Sequence, residues 1–208
     1  DELPVAGGSP PAPGRRPLGR TGIEVSEVSL GTVELGLEYG LRSPGERTMP
    51  SPDEALRVLD RAIGLGVDFI DTARVYGASE SLVGRALRGR RDRVVVATKV
   101  EPLPPDLTGA ALRRRIEASV GVSLAALETD VVDVLQVHSA TVDDIRRGEI
   151  VGELERLREA GAIRVVGAST YGGDAARAAL EDERIGCLQI AYNLLDRGAE
   201  DGILETAA

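Results

Sequence analysis

The chain has 208 residues, 42% hydrophobic and 28% charged, which is enough to bury one sizeable core and too few for two ordinary domains. Its formal net charge of −9 argues against a nucleic-acid or anionic-membrane partner, either of which would ask for a basic face. No apolar run approaches the roughly 20 residues needed to cross a bilayer, and the proline-rich start has no apolar signal-peptide core, so a soluble cytoplasmic protein is expected. A single cysteine, Cys187, and a single histidine, His138, exclude an internal disulfide and an ordinary zinc site built from this chain alone.

Residues 1–15 are rich in Pro and Gly without periodicity and are expected to form an irregular lead to one domain over 16–208. Between Arg16 and Val25, Gly19 and Gly22 flank Thr21 as in a small hairpin. Residues 25–32 read as a first strand ending in a Gly-Thr turn, and residues 34–51 as one long loop. Residues 53–65 then set Ala55, Leu56, Leu59, Ala62 and Ile63 on one helical face, with Ser51 as cap and Gly64 and Gly66 as stop. From there the pattern predicts a strand to Asp71, a helix over 79–87, a strand over 93–100, a helix over 109–127 and a strand over 131–139. A helix over 150–160, a strand over 163–170, a helix over 174–180, a strand over 187–193 and a helix from 201 complete six β-then-α units.

Uniform alternation of buried strands and amphipathic helices implies a parallel sheet, either doubly wound or closed into a barrel. Polar residues stand at the C-terminal ends of successive strands (Thr32, Asp71, Lys99, His138, Ser169, Gln189), and no Gly-x-Gly-x-x-Gly follows the first strand. Both observations favour the barrel. The expected fold is a (β/α)8 TIM-type barrel with only about six units present and the last two strands missing, against the eight units and about 250 residues of a closed barrel. An open six-stranded sheet leaves two unpaired edges, an opening for self-association.

The scarce residues are the most informative. Of 25 basic side chains only Lys99 is lysine. Arginine stays charged and presents a flat fork of donors, whereas lysine is a compact amine whose pKa moves on burial, so a position that keeps lysine asks for that amine. Residues 68–77 (Asp-Phe-Ile-Asp-Thr-Ala-Arg-Val-Tyr-Gly) run from a strand into a loop carrying a carboxylate, Asp71, and a phenol, Tyr76. The bland reading is a strand followed by a polar N-cap region. A short-chain dehydrogenase is excluded because Val95 stands four residues before Lys99, and a hydrolase elbow because the string 121–125 ends in alanine inside a helix.

Several ordered segments carry a resemblance. They are Leu18-Gly19-Arg20-Thr21-Gly22, Phe69-Ile70-Asp71-Thr72-Ala73 with Tyr76-Gly77, Ala97-Thr98-Lys99, Asp133 to His138, Ile163 to Ser169, and Gln189-Ile190-Ala191-Tyr192-Asn193. With them the chain resembles an aldo-keto reductase, as a C-terminally short member or fragment. The resemblance implies a catalytic tetrad of Asp71, Tyr76, Lys99 and His138. It further implies NADPH as cofactor, with NADH the alternative, held by Thr32, Asp71, Ser169, Thr170 and Gln189, with Thr170 standing where the family commonly has Asn. The partner implied is a small-molecule aldehyde, ketone or sugar-like carbonyl, reduced with Tyr76 as general acid. Lys99 beside Tyr76 is expected to lower the phenol's pKa, and His138 to direct the carbonyl oxygen. Glu34, Tyr39 and Tyr171 are pocket candidates. Two other readings stay open: a non-catalytic binding or regulatory protein on a truncated barrel, and Lys99 as a Schiff-base amine.

Overall fold

The computed structural model describes residues 11–40 and 49–208, so the first ten residues of the expected lead and residues 41–48 of the expected loop lie outside the described residues. The chain opens with a hairpin of β1 (Arg15–Pro17) and β2 (Glu24–Ser26), antiparallel, with Arg16 opposite Val25. β3 (Leu30–Gly31) and a one-turn helix α1 (Val33–Gly36) follow. The single strand expected over 25–32 is therefore two. Ser26 donates its N–H to Asp68 Oδ1 (2.6 Å) and its hydroxyl to the Val28 carbonyl (2.7 Å), bending the chain between the hairpin and the sheet.

The helix α2 (Pro52–Gly64) starts at a capping box between Ser51 and Glu54, with Pro52 at its first position, as its sequence signature requires. β4 (Phe69–Asp71), α3 (Ser79–Ala86), β5 (Val95–Lys99), α4 (Gly109–Leu127) and β6 (Val132–Val137) continue the alternation. Next come α5 (Val142–Arg147), α6 (Glu149–Glu159), β7 (Ile163–Thr170), α7 (Gly173–Glu181), β8 (Cys187–Ile190) and α8 (Ile203–Ala207). α5 is an element that the apolar pattern does not announce. Thr141 accepts from Asp144 N (3.1 Å) and donates its own N–H to the Asp144 carboxylate (2.9 Å), so a polar cap starts the helix. β8 ends three residues earlier than expected, because Asn193 Oδ1 accepts from the backbone N–H of Leu195 (2.8 Å) and Asp196 (3.1 Å) and makes a turn instead.

The strands β3 to β8 form one parallel sheet in sequence order, and among the described residues β3 and β8 are its two edges. Register defines the two faces. Gly31, Asp71, Ala97, Val134 and Val165 lie in one row, and Lys99, Gln136, Gly167 and Cys187 in the next. Ser169 pairs with Gln189 in a third row. Side chains alternate with period two, so these rows share one face.

On that face the hairpin residues Leu18 and Ile23 pack against Ala97, Val134 and Val165, closing the N-terminal end of the strands with apolar contacts. The opposite face is larger. Ile70, Val96, Leu135 and Val166 meet Leu59, Val83, Ile116 and Leu154 from the surrounding helices in the main core.

α3 and α4 approach closely through Gly84, where an added Cβ would lie 2.4 Å from the Ala126 carbonyl oxygen. A backbone atom cannot swing aside as a side chain can. Gly84→Ala is expected to destabilise the fold by about 1–3 kcal/mol, read as a lower urea midpoint with an unchanged slope.

Candidate active site

The C-terminal ends of the strands bring Asp71, Tyr76, Lys99 and His138 into one cleft. Asp71 closes β4, Lys99 closes β5, and His138 follows β6 on the same face as Gln136. Tyr76 comes from the loop after β4. That loop is bound tightly: Thr72 N donates to Ala97 O (2.9 Å), Tyr76 N to Ala73 O (3.0 Å) and Ser79 N to Tyr76 O (3.1 Å). Gly77 (φ 58°) lies where an added Cβ would sit 2.0 Å from Gly36 O. Only glycine permits both that backbone conformation and that approach.

Lys99 is 2% exposed. Its ammonium donates to Asp71 Oδ1 (2.7 Å), Asp71 Oδ2 (2.8 Å) and the Thr72 carbonyl (2.9 Å), so each of its three protons has an acceptor. Burial pulls the amine's pKa down, and the Asp71 carboxylate acts against it. The same nitrogen lies 5.1 Å from the centre of the Tyr76 ring. His138 faces that ring edge-on, with centroids 6.0 Å apart and planes at 83°.

The tyrosine behaves differently from the expectation. Burial, and then the Asp71 carboxylate, push the Tyr76 phenol up to about 12. Desolvation of the phenolate is the larger cause and the Asp71 carboxylate adds to it, while the Lys99 ammonium, held by both carboxylate oxygens, does not offset them. His138 is pulled down by burial and by Lys99, which keeps the imidazole neutral near pH 7. Its Nδ1 is buried without a hydrogen-bond partner, which favours the tautomer carrying its proton on Nε2.

The expected cofactor residues separate into two groups. Ser169 and Gln189 are register partners on the inner face, at the open end of the cleft. Ser169 Oγ accepts from Ser139 N (2.9 Å), leaving its O–H to donate. Gln189 Nε2 donates to Asp71 Oδ2 (3.2 Å), leaving its carbonyl oxygen to accept. Thr32 is fully buried, with its hydroxyl on the Asp71 carbonyl (3.1 Å), and joins β3 to β4. Strand alternation puts Thr170 on the face opposite Ser169, with its buried hydroxyl unpartnered. Tyr171 and Tyr39 stand exposed, close enough to Tyr76 to add to the rise of its pKa.

Three polar residues near the cleft escape a reading of the sequence: Gln136, with its buried Oε1 unpartnered, and the linked pair Arg74 and Glu80. For Gln136 a signal existed, an amide two residues before His138 in a strand whose other residues, Asp133 apart, are apolar. Glu80 falls off the apolar stripe of its helix and gives none.

The family model described as the aldo/keto reductase family matches residues 27–208. The chain is 31% identical over 193 residues to the uncharacterized oxidoreductase YqkF of Bacillus subtilis, a match covering 90% of this chain and 58% of that protein. It is 34% identical over 195 residues to the aldo-keto reductase YhdN of the same organism, covering 90% of this chain and 56% of that one. It also superposes on the holo form of an aldo-keto reductase from Bacillus halodurans with a TM-score of 0.75 and 30% identity, over 93% of this chain and 63% of that structure. The chain thus spans less than two thirds of the length of these three proteins.

Two outcomes follow from the charges in the cleft. Asp71→Asn leaves a buried ammonium without its counter-charge and is expected to destabilise the fold by about 3–5 kcal/mol, measured by urea unfolding at pH 7, with part of the loss recovered when Lys99→Met is added. Tyr76 binds its proton more tightly folded than unfolded, so its contribution to stability is complete below the ordinary tyrosine pKa near 10. It is lost as pH rises from there through about 12. Unfolding curves across that window should fall more steeply for the wild type than for Tyr76→Phe.

Proposed function

The chain belongs to the aldo/keto reductase family, and from that premise we propose that it is a cytoplasmic NAD(P)H-dependent oxidoreductase, NADPH-preferring, that reduces the carbonyl of a small aldehyde, ketone or sugar-like molecule. The likeness to aldo-keto reductase structures identifies the six-stranded sheet as part of a TIM-type barrel. One observation carries the reading: a phenol, a neutral imidazole and a buried Lys–Asp pair converge on one face at the C-terminal end of the strands.

In this reading Tyr76 is the general acid. Its raised pKa keeps the proton in place at neutral pH, and the alkoxide formed from a carbonyl is a stronger base than a phenolate, so transfer from Tyr76 Oη to the oxygen runs downhill. His138, neutral and protonated on Nε2, donates to the same oxygen and orients it. Asp71 holds Lys99 in register beside the phenol, 5.1 Å from the ring centre. The bound nicotinamide supplies the hydride. The donor–acceptor set fits its carboxamide: the free Ser169 O–H suits the amide carbonyl and the free Gln189 oxygen suits the amide N–H. Asp71 and Thr32 stand at the neighbouring strand ends, whereas Thr170, on the opposite face, does not line that subsite.

The full engagement of the Lys99 ammonium disfavours the Schiff-base alternative, which needs a lone pair on that nitrogen. The test is reduction of 4-nitrobenzaldehyde with NADPH by the wild type and by Tyr76→Phe. The variant should retain NADPH binding and lose about 100-fold or more in kcat. A Tyr76→Phe protein that kept full turnover would overturn the reading.

A further inference from the structure

Glu80 lies at the start of α3 and is 2% exposed, although it carries a charge. Packing alone does not call for a carboxylate there, since an unpaired buried charge is strongly disfavoured. Its two oxygens serve two different parts of the fold. Oε1 accepts from the Thr98 hydroxyl (2.7 Å), and Oε2 forms an ion pair with Arg74.

Thr98 is the strand neighbour of Lys99, and the two side chains point to opposite faces of β5. Arg74 stands two residues before Tyr76 in the loop that carries the phenol. The single carboxylate therefore ties the strand that delivers the amine to the loop that delivers the phenol, behind the sheet and out of the cleft. Among the described residues the loop is also held by backbone hydrogen bonds, by the Gly36–Gly77 approach and by the Lys99 ammonium on the Thr72 carbonyl (2.9 Å). The two that reach β5, Thr72 N–H to Ala97 O and Lys99 Nζ to Thr72 O, both act at Thr72, upstream of Tyr76.

We propose that Glu80 and Arg74 are positioning residues, a buried charged tie that sets Tyr76 at its working distance from Lys99. The catalytic consequence rests on the carbonyl-reductase reading above; the geometric claim does not. Glu80→Gln keeps the volume and the Thr98 bond and removes the charge that holds Arg74. Arg74→Met removes the cation, and Arg74→Lys keeps the charge with a shorter reach.

The chain has four tyrosines, so labelling tyrosine with 13C at Cζ gives four ring resonances, and Tyr76→Phe identifies the one in the cleft. In Glu80→Gln and Arg74→Met that resonance should move toward the position of an exposed tyrosine. Backbone amides of residues 72–78 should exchange about tenfold faster or more while those of α4 and β6 keep their rates. Arg74→Lys should restore most of both. With NADPH and 4-nitrobenzaldehyde, kcat should fall about tenfold with KM for the aldehyde within about threefold, the signature of a misplaced acid rather than lost binding.

An unmoved Tyr76 resonance with unchanged loop exchange in folded Glu80→Gln would overturn the proposal, and so would acceleration spread evenly over the whole chain. A wild type that binds no NADPH and turns over no aldehyde would reject the functional reading alone, with the resonance and the exchange rates still deciding the tie.

Discussion

The burial of one ammonium group governs the site. Lys99 sits almost out of contact with solvent, and such a charge persists only where every proton finds an acceptor and a counter-charge stands close. Asp71 meets both needs, and to do so it must stand at the end of β4 in register with Ala97 of β5. The Thr72 carbonyl takes the remaining proton, which fixes the first step of the loop toward Tyr76. The ion pair is thus also a constraint on strand register and loop path. It has an electrostatic effect on its neighbour: a Lys99 free of Asp71 would draw the phenol's pKa down, whereas beside this pair desolvation and then the Asp71 carboxylate raise it.

The inner face is kept narrow around that pair. Ala97 and Gly167 are small where the rows converge, and a Cβ at Gly167 would meet Cys187 Sγ at 2.9 Å and Gln136 Cγ at 3.1 Å. Below them Leu18 and Ile23 of the hairpin supply the apolar floor. The cleft therefore has an apolar base, a charged middle layer and a polar rim of Ser169 and Gln189, stacked along the strand direction. Cys187 belongs to the middle layer, where burial and then Asp71 push its thiol up to about 12, so it is a packing group with no thiolate at neutral pH.

Much of this was legible in the chain. The helix expected over 109–127 is Gly109–Leu127, the strand over 163–170 is Ile163–Thr170, and the Ser51 cap is present, because long periodic segments and capping signatures are local information. Short elements were not. The break after Ser26 depends on Asp68, 42 positions away, and α5 rests on a polar cap rather than an apolar stripe. At the site, a lone lysine and a lone histidine marked their own positions and the structure brings them together with Asp71 and Tyr76. Thr170 turned to the other face, and Glu80 stayed invisible because its burial is set by Arg74 and Thr98, which no helical periodicity brings to it.

The single lysine has a consequence for the chemistry of the surface. Every other basic side chain in these 208 residues is a guanidinium, so reagents and enzymes that acylate, glycate or conjugate side-chain amines meet few targets along this stretch, with only Lys99 carrying an ε-amine. The one ε-amine it owns becomes reachable only when Asp71 releases it and the strand ends part. Covalent labelling at Lys99 would thus count the moments when the cleft comes undone.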